Sequence, residues 1–436
     1  MVVMPTGGCI SDGSDCPDVP DDGKTLTMQF TVVTRKLPMI QRDSRAIVVP
    51  DDTQLGYTDE NYLDLASMRF ILFDGGGNML TTFIPDVVPV AAGDYVKYTV
   101  KASIAQSYFI ESDEPDIDFY IMVIGNEAAH SPSRLGFVPG MDFQRLFDPT
   151  TVGTFGFPLA KANGNNDSWW EPSIDNKQYI PMSGLQHFNI SRADLINSTE
   201  DIPLNLSVAA DGSQDINMLR AVAKIEVIDR IDAMGAGKDT TQPDLADRAS
   251  IDQVELNGCW SRASILPTLA NWSLGETIET QYVTTPSIPS DALYNEPLSF
   301  AELYPVGGSE MNTQNSAAIV NFYYDARATA ARADGCRVFS AYVIEYDPDA
   351  LNGMERAWVQ VRIKKAGGQA GDEKNPVFEM KLSEYNNGIA SNQYVDILRN
   401  SIYRYEINRV STETQLDVRY TVCNWEEESV DIPSFE

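Results

Sequence analysis

The chain is patterned mainly with period two. In "TLTMQFTVVTRK" (25–36) the side chains of Leu26, Met28, Phe30 and Val32 fall on one side of an extended backbone. Thr27, Gln29 and Thr31 fall on the other, the signature of a strand with one buried face. "DLASMRFILFDGGGNMLTTF" (64–83) reads as strand, glycine-rich turn and strand, which predicts a hairpin. "DYVKYTVKASI" (94–104) alternates again, whereas "DIDFYIMVIGN" (116–126) is apolar almost throughout, as in a strand buried on both faces. Leu219 to Ile228, within "MLRAVAKIEVID", reads as one further strong strand. After the polar stretch 229–250, strands resume in "IDQVELNGCW", "AAIVNFYYDAR", "RVFSAYVIEYD", "RAWVQVRIKK", "NPVFEMKL", "ILRNSIYRYEINRVS" and "LDVRYTVCNW". No segment holds helical amphipathicity over three turns. Short strands punctuated by Gly, Pro and Asn predict an all-β chain of two tandem β-sandwich domains.

A length of 436 residues suits two domains, divided near residue 215, into 25–214 and 215–436 behind a leader of residues 1–24. Hydrophobic residues are 43% of the chain, enough for real cores. With 63 acidic against 32 basic residues the formal charge is −31, which repels phosphate backbones and disfavours nucleic acid as a partner. The two histidines, His130 and His187, are far apart in sequence, which argues against metal or general-base chemistry. "FDGGGN" (73–78) lacks the lysine and helix of a phosphate loop, and no G-x-S-x-G element is present. The acidic run "ESDEPDID" (111–118) lacks the spacing of a calcium loop and reads as a solvated turn. Trp169 and Trp170 offer either a sugar-stacking platform or, more ordinarily, a capped domain corner.

Cysteines number five and contain no C-x-x-C pair. Cys259, Cys336 and Cys423 read most simply as small buried hydrophobes, with a disulfide between two of them the alternative. Cys9 ends "MVVMPTGGC", where small residues stand directly before a cysteine; this resembles a bacterial lipoprotein processing site, although the apolar run is short and no basic region leads it. A lipid on Cys9 would be the chain's one membrane attachment.

Taken together, the leader cysteine with "DCP", "LTMQFTVVTR", "MRFILFDGGGNML", "YIPMSG" followed by "MLRAVAKIEVI", "ILRNSIYRYEI" and the closing "LDVRYTVCNWEEESVDIPSF" resemble the fimbrillin-type (type V) pilus subunits of Bacteroidales. That resemblance implies two transthyretin-like Greek-key sandwiches in an outer-membrane lipoprotein precursor that matures into a surface fimbria. It implies a trypsin-like protease cutting beyond the first strand, here after Arg35, with Arg42 and Arg45 as alternatives. Loss of residues 25–35, and with them Leu26, Met28, Phe30 and Val32, would open a groove. The C-terminal extension of a neighbouring subunit, carrying Val430, Ile432 and Phe435, would fill it. Residues 416–423 read either as part of that donor or as a strand of the second sandwich. The partners implied are other fimbrial subunits, in a homo- or heteropolymer, and a ligand on a host or bacterial surface. No cofactor, metal or catalytic residue is implied. The rival reading is a lipid-anchored surface protein that binds glycans for nutrient capture.

Overall fold

The computed structural model describes residues 24–34, 54–56, 63–92, 95–110, 115–127, 136–142, 157–158, 180–208, 215–231, 250–260, 262–263, 317–332, 334–343, 358–364, 369–371, 375–386, 389–394, 397, 399, 401–412 and 415–427. Its first half supplies β1 (Thr25–Thr34), β2 (Gln54–Gly56), β3 (Arg69–Asp74), β4 (Met79–Phe83), β5 (Asp86–Ala92), β6 (Tyr95–Ala105), β7 (Asp116–Gly125), β8 (Phe157–Pro158), β9 (Met182–Ser191), β10 (Leu204–Asn205) and β11 (Ile216–Arg220). The second half supplies β12 (Ala223–Asp229), β13 (Ser250–Trp260), β14 (Arg262–Ala263), β15 (Ala317–Asn321), β16 (Tyr323–Tyr324), β17 (Arg337–Val343), β18 (Trp358–Lys364), β19 (Val377–Lys381), β20 (Ser383–Asn386), β21 (Ile389–Tyr394), β22 (Ser401–Thr412) and β23 (Gln415–Glu427). Helices among the described residues are a few short turns, such as Arg192–Ile196 and Ala326–Ala331. The fold is all-β.

Strands of the first half join in the order β4-β3-β7-β9-β11-β1-β6-β5, with β10 also paired to β1. The sheet rolls over on itself. Phe30 of β1 and Phe70 of β3 meet edge to face at 6.2 Å, although β7, β9 and β11 lie between their strands. Strand β11 makes the corner: Ile216 to Met218 run parallel to β1, and Leu219 and Arg220 then pair antiparallel with β9. Gly184 of β9 permits that corner, since a Cβ there would press on the Asn217 carbonyl oxygen, a backbone atom that cannot swing aside. β7 sits between β3 and β9, and Phe119 to Ile124 along it are buried, as the unbroken apolar run requires.

The second half stacks two sheets, β16-β17-β12-β22-β23-β2 and β15-β13-β18-β19. Strict alternation of buried with part-exposed residues along β18, and of buried with exposed ones along β19, marks a sheet with one face in the core. The run from Leu219 to Ile228 is not one strand. β11 ends at Arg220, Ala221 and Val222 cross over, and β12 begins in a different sheet. All ten residues are buried, so hydrophobicity never falls where the direction changes. Two short pairings, β2 with β23 and β8 with β14, tie the halves together, and one apolar cluster draws residues from both.

Candidate functional site

β1 carries the features that the sequence singled out, and it is an interior strand. Antiparallel β6 lies on one side in register from Thr25↔Ala105 to Val33↔Lys97. On the other side lie parallel β10, at Met28 and Gln29, and parallel β11, at Val32 to Thr34. The Gln29 carbonyl accepts from the Leu206 N–H at 2.8 Å, and the Thr31 N–H donates to Ser207 Oγ at 3.0 Å.

Inward, Leu26, Met28, Phe30 and Val32 are at most 1% exposed. Four such side chains represent about 6–12 kcal/mol of gross burial, at roughly 1.5–3 kcal/mol each. Outward, Thr27, Thr31 and Val33 are buried as well, against the expectation of a solvated polar face. Part of the reason lies in two lysines of β6 that reach across β1. Lys97 Nζ stands 3.7 Å from Asp215 Oδ2 just before β11, and Lys101 Nζ donates to the Glu200 carbonyl at 2.9 Å. Each strap links one wall of the slot to the other over the strand between them. Threonine suits such a position because its hydroxyl finds a local partner, as in the 3.3 Å contact of Thr27 Oγ1 with Ser103 Oγ.

Cys9, Arg35, Arg42, Arg45, Val430, Ile432 and Phe435 lie outside the described residues, as do Trp169 and Trp170. Residues 416–423 belong to β23, which pairs antiparallel with β22 from Thr412↔Gln415 to Ser401↔Asn424. Leu416, Val418 and Tyr420 are buried there as part of the second sandwich. Cys336 is a free, buried thiol whose pKa is pushed up to about 11 by burial and by Asp334.

Sequence reading missed a second set of buried polar groups. On the outer face of β12, Lys224 Nζ contacts Glu226 Oε1 at 3.2 Å and Asp325 Oδ2 at 3.1 Å, and Arg404 Nε meets Glu226 Oε2 at 3.1 Å. Asp325 also caps the helix Ala326–Ala331 through the Ala328 N–H and accepts from Ser340 Oγ at 2.9 Å. Burial pushes the Asp325 carboxyl up, but Lys224 and these donors outweigh it and hold the pKa below its ordinary value. In the first sandwich, His187 Nε2 lies 3.0 Å from Asp118 Oδ1, and its ring packs on Tyr120. Burial lowers its pKa despite the carboxylate, so the imidazole is neutral at pH 7. No period-two pattern announces either group, because each depends on partners far away in the chain. Among the described residues no three His, Cys, Asp or Glu side chains gather as metal ligands, and no helix is long and apolar enough to cross a membrane.

No family model matches the chain, and no curated protein matches it in sequence. Among solved structures it is similar to the tip fimbrial protein Mfa3 from Porphyromonas gingivalis with C-terminal truncation. Identity is 13% and the TM-score 0.45, over 92% of this chain and 100% of that one. It is also similar to a fimbrial assembly protein from Parabacteroides distasonis, at 12% identity and a TM-score of 0.38, over 92% of this chain and 97% of that one.

Proposed function

We propose that the protein is a structural subunit, of shaft or tip, in a cell-surface fimbria, and that it polymerises by exchange of its first strand. The observation that carries this reading is the position of β1, an interior strand near the chain's start, hydrogen-bonded on both sides, with four apolar side chains in the core. Removing it would leave two facing rows of unpaired N–H and C=O groups and an uncovered apolar floor. A strand supplied by another copy would satisfy both at once.

On this reading a trypsin-like protease cuts after Arg35, or after Arg42 or Arg45, and the slot receives the neighbour's tail with Val430, Ile432 and Phe435. With 416–423 held in β23, the donating segment lies beyond it. Cutting matters because the tethered strand competes at a high effective concentration until the tether is gone. Lipid on Cys9 would hold the precursor at the outer membrane, and the polymer would display a surface for adhesion. N-terminal sequencing of protein taken from cells tests the scheme. A start at Lys36, or at Ala46 for the Arg45 site, is the expected result. A start at Cys9 throughout an assembled fibre would overturn it.

A further inference from the structure

The second sandwich opens at one end into a cleft of about 380 Å³, within the range of small-molecule sites. Its walls come from different sheets. Tyr324 of β16 and Arg337 and Phe339 of β17 form one side, and Ser250 and Asp252 of β13 with Lys364 of β18 form the other. Register explains the meeting. Tyr324 pairs with Phe339 and Ser250 pairs with Lys364, so each wall is a pair of neighbouring strand ends.

Two features make this a built site rather than a gap between sheets. Arg337 is fixed before any ligand arrives: its Nη2 donates to Asp229 Oδ2 at 2.5 Å and to the Ile251 carbonyl at 2.9 Å, and its guanidinium lies over the Phe339 ring. Asp252 is oriented too, accepting at Oδ2 from the Gly371 N–H at 2.8 Å and from Asn375 Nδ2 at 3.2 Å. Gly371 has φ +73°, a left-handed conformation that the glycine grants the turn at little cost. Beside these fixed groups, Tyr324 stays 51% exposed while its ring packs edge to face on Phe339.

We infer that this cleft binds a neutral hexopyranose residue of a glycan. A sugar hydroxyl both donates and accepts, and the lining offers both: ammonium and guanidinium donors, a carboxylate acceptor and the Ser250 hydroxyl, which does either. The exposed Tyr324 face suits the apolar C–H side of a pyranose ring. The Asp229–Arg337 pair, with Asp252 and Lys364 together on the other wall, leaves no net positive charge to hold a phosphate. A wholly apolar ligand would strip water from Asp252 and Lys364 and return nothing. The inference is independent of strand exchange, since every lining group belongs to the second sandwich.

The test uses the uncut full chain. Saturation-transfer NMR is run with the methyl glycosides of glucose, galactose, mannose and N-acetylglucosamine, each at millimolar concentration. At least one is expected to take up saturation and to saturate on titration. Tyr324→Ala, at an exposed side chain, and Lys364→Ala, at a part-exposed one, are each expected to weaken it at least ten-fold with the circular dichroism unchanged. Signal from none of the four sugars, or binding that both variants leave intact, would overturn the inference. Either failure leaves the fimbrial reading standing, because fibre formation is read separately by particle size.

Discussion

β1 and β12 occupy matching places in their sheets and are built of opposite chemistry. Each is an interior strand with an antiparallel neighbour on one side, β6 or β17, and a parallel neighbour on the other, β10 and β11 or β22. β1 has no ionisable residue between Thr25 and Thr34, and it fills its slot with alternate apolar side chains and hydroxyls. β12 places Lys224 and Glu226 outward into a buried set of charges and ends at Asp229, which accepts from the Ile231 and Ile251 N–H groups and from Arg337. The first slot asks of its strand only apolar groups at every second position and no matching charge. The second accepts only a strand that brings the matching charges, because a buried charge without its partner is costly. On the proposed exchange, interior position alone would not make a strand replaceable; the generality of its side chains would.

The largest effects that would break this comparison lie at the centres of the two strands. Lys224→Met leaves the carboxylates of Glu226 and Asp325 short of a cation, and urea unfolding is expected to show a loss of about 3–5 kcal/mol. A loss under 1 kcal/mol would mean that β12 is not specified by its charges. Phe30→Ala empties a fully buried site and is expected to cost about 3–5 kcal/mol in the uncut chain. Because Phe30 leaves with β1, only this variant of the two should also hasten loss of the strand after cleavage, with the fibre that forms afterwards unchanged.

A smaller effect separates the two sandwiches by pH. The folded pKa of His187 is lowered by burial, so its contribution is complete above the unfolded value near 6.5 and falls away as pH drops toward the folded value. Asp325, also lowered, contributes above its unfolded value near 3.9 and loses that contribution as pH falls through the folded one. Stability measured from pH 7 downward should therefore decline first through the N-terminal sandwich, and His187→Gln should flatten that first decline. An unchanged slope in this variant would assign the decline to other groups. The smallest effect belongs to the straps over β1. Lys97→Ala and Lys101→Ala, at part-exposed lysines, are expected to cost under about 1 kcal/mol each. Both should speed release of β1 after cleavage, measured by size-exclusion chromatography over time; unchanged release would make the straps incidental.

The strands themselves were legible, because period two survives in a single sequence. Strand β1 and the β3–β4 hairpin stand where alternation places them. The neighbours of β1 were not, since the contact of Thr31 with Ser207 spans 176 residues and no local pattern encodes it. Its threonines suggested water, whereas the lysine straps and the segment around β10 cover them. The crossing at Ala221 and Val222 escaped notice because neither residue is a turn former and both are fully buried. Lys224 and Glu226 alternate with Ile225 and Val227, and nothing local to them shows that their face is covered. Arg404 and Asp325, 178 and 101 residues away, turn that face into a buried one.

The most direct test of the account is limited digestion of the purified chain with trypsin, followed by mass spectrometry and light scattering. Strand exchange predicts cleavage after Arg35, departure of the fragment that carries Leu26 to Val33, and concentration-dependent multimers that resist SDS. A single clean cut that leaves a stable monomer, with the β1 fragment either retained or lost without association, would contradict it.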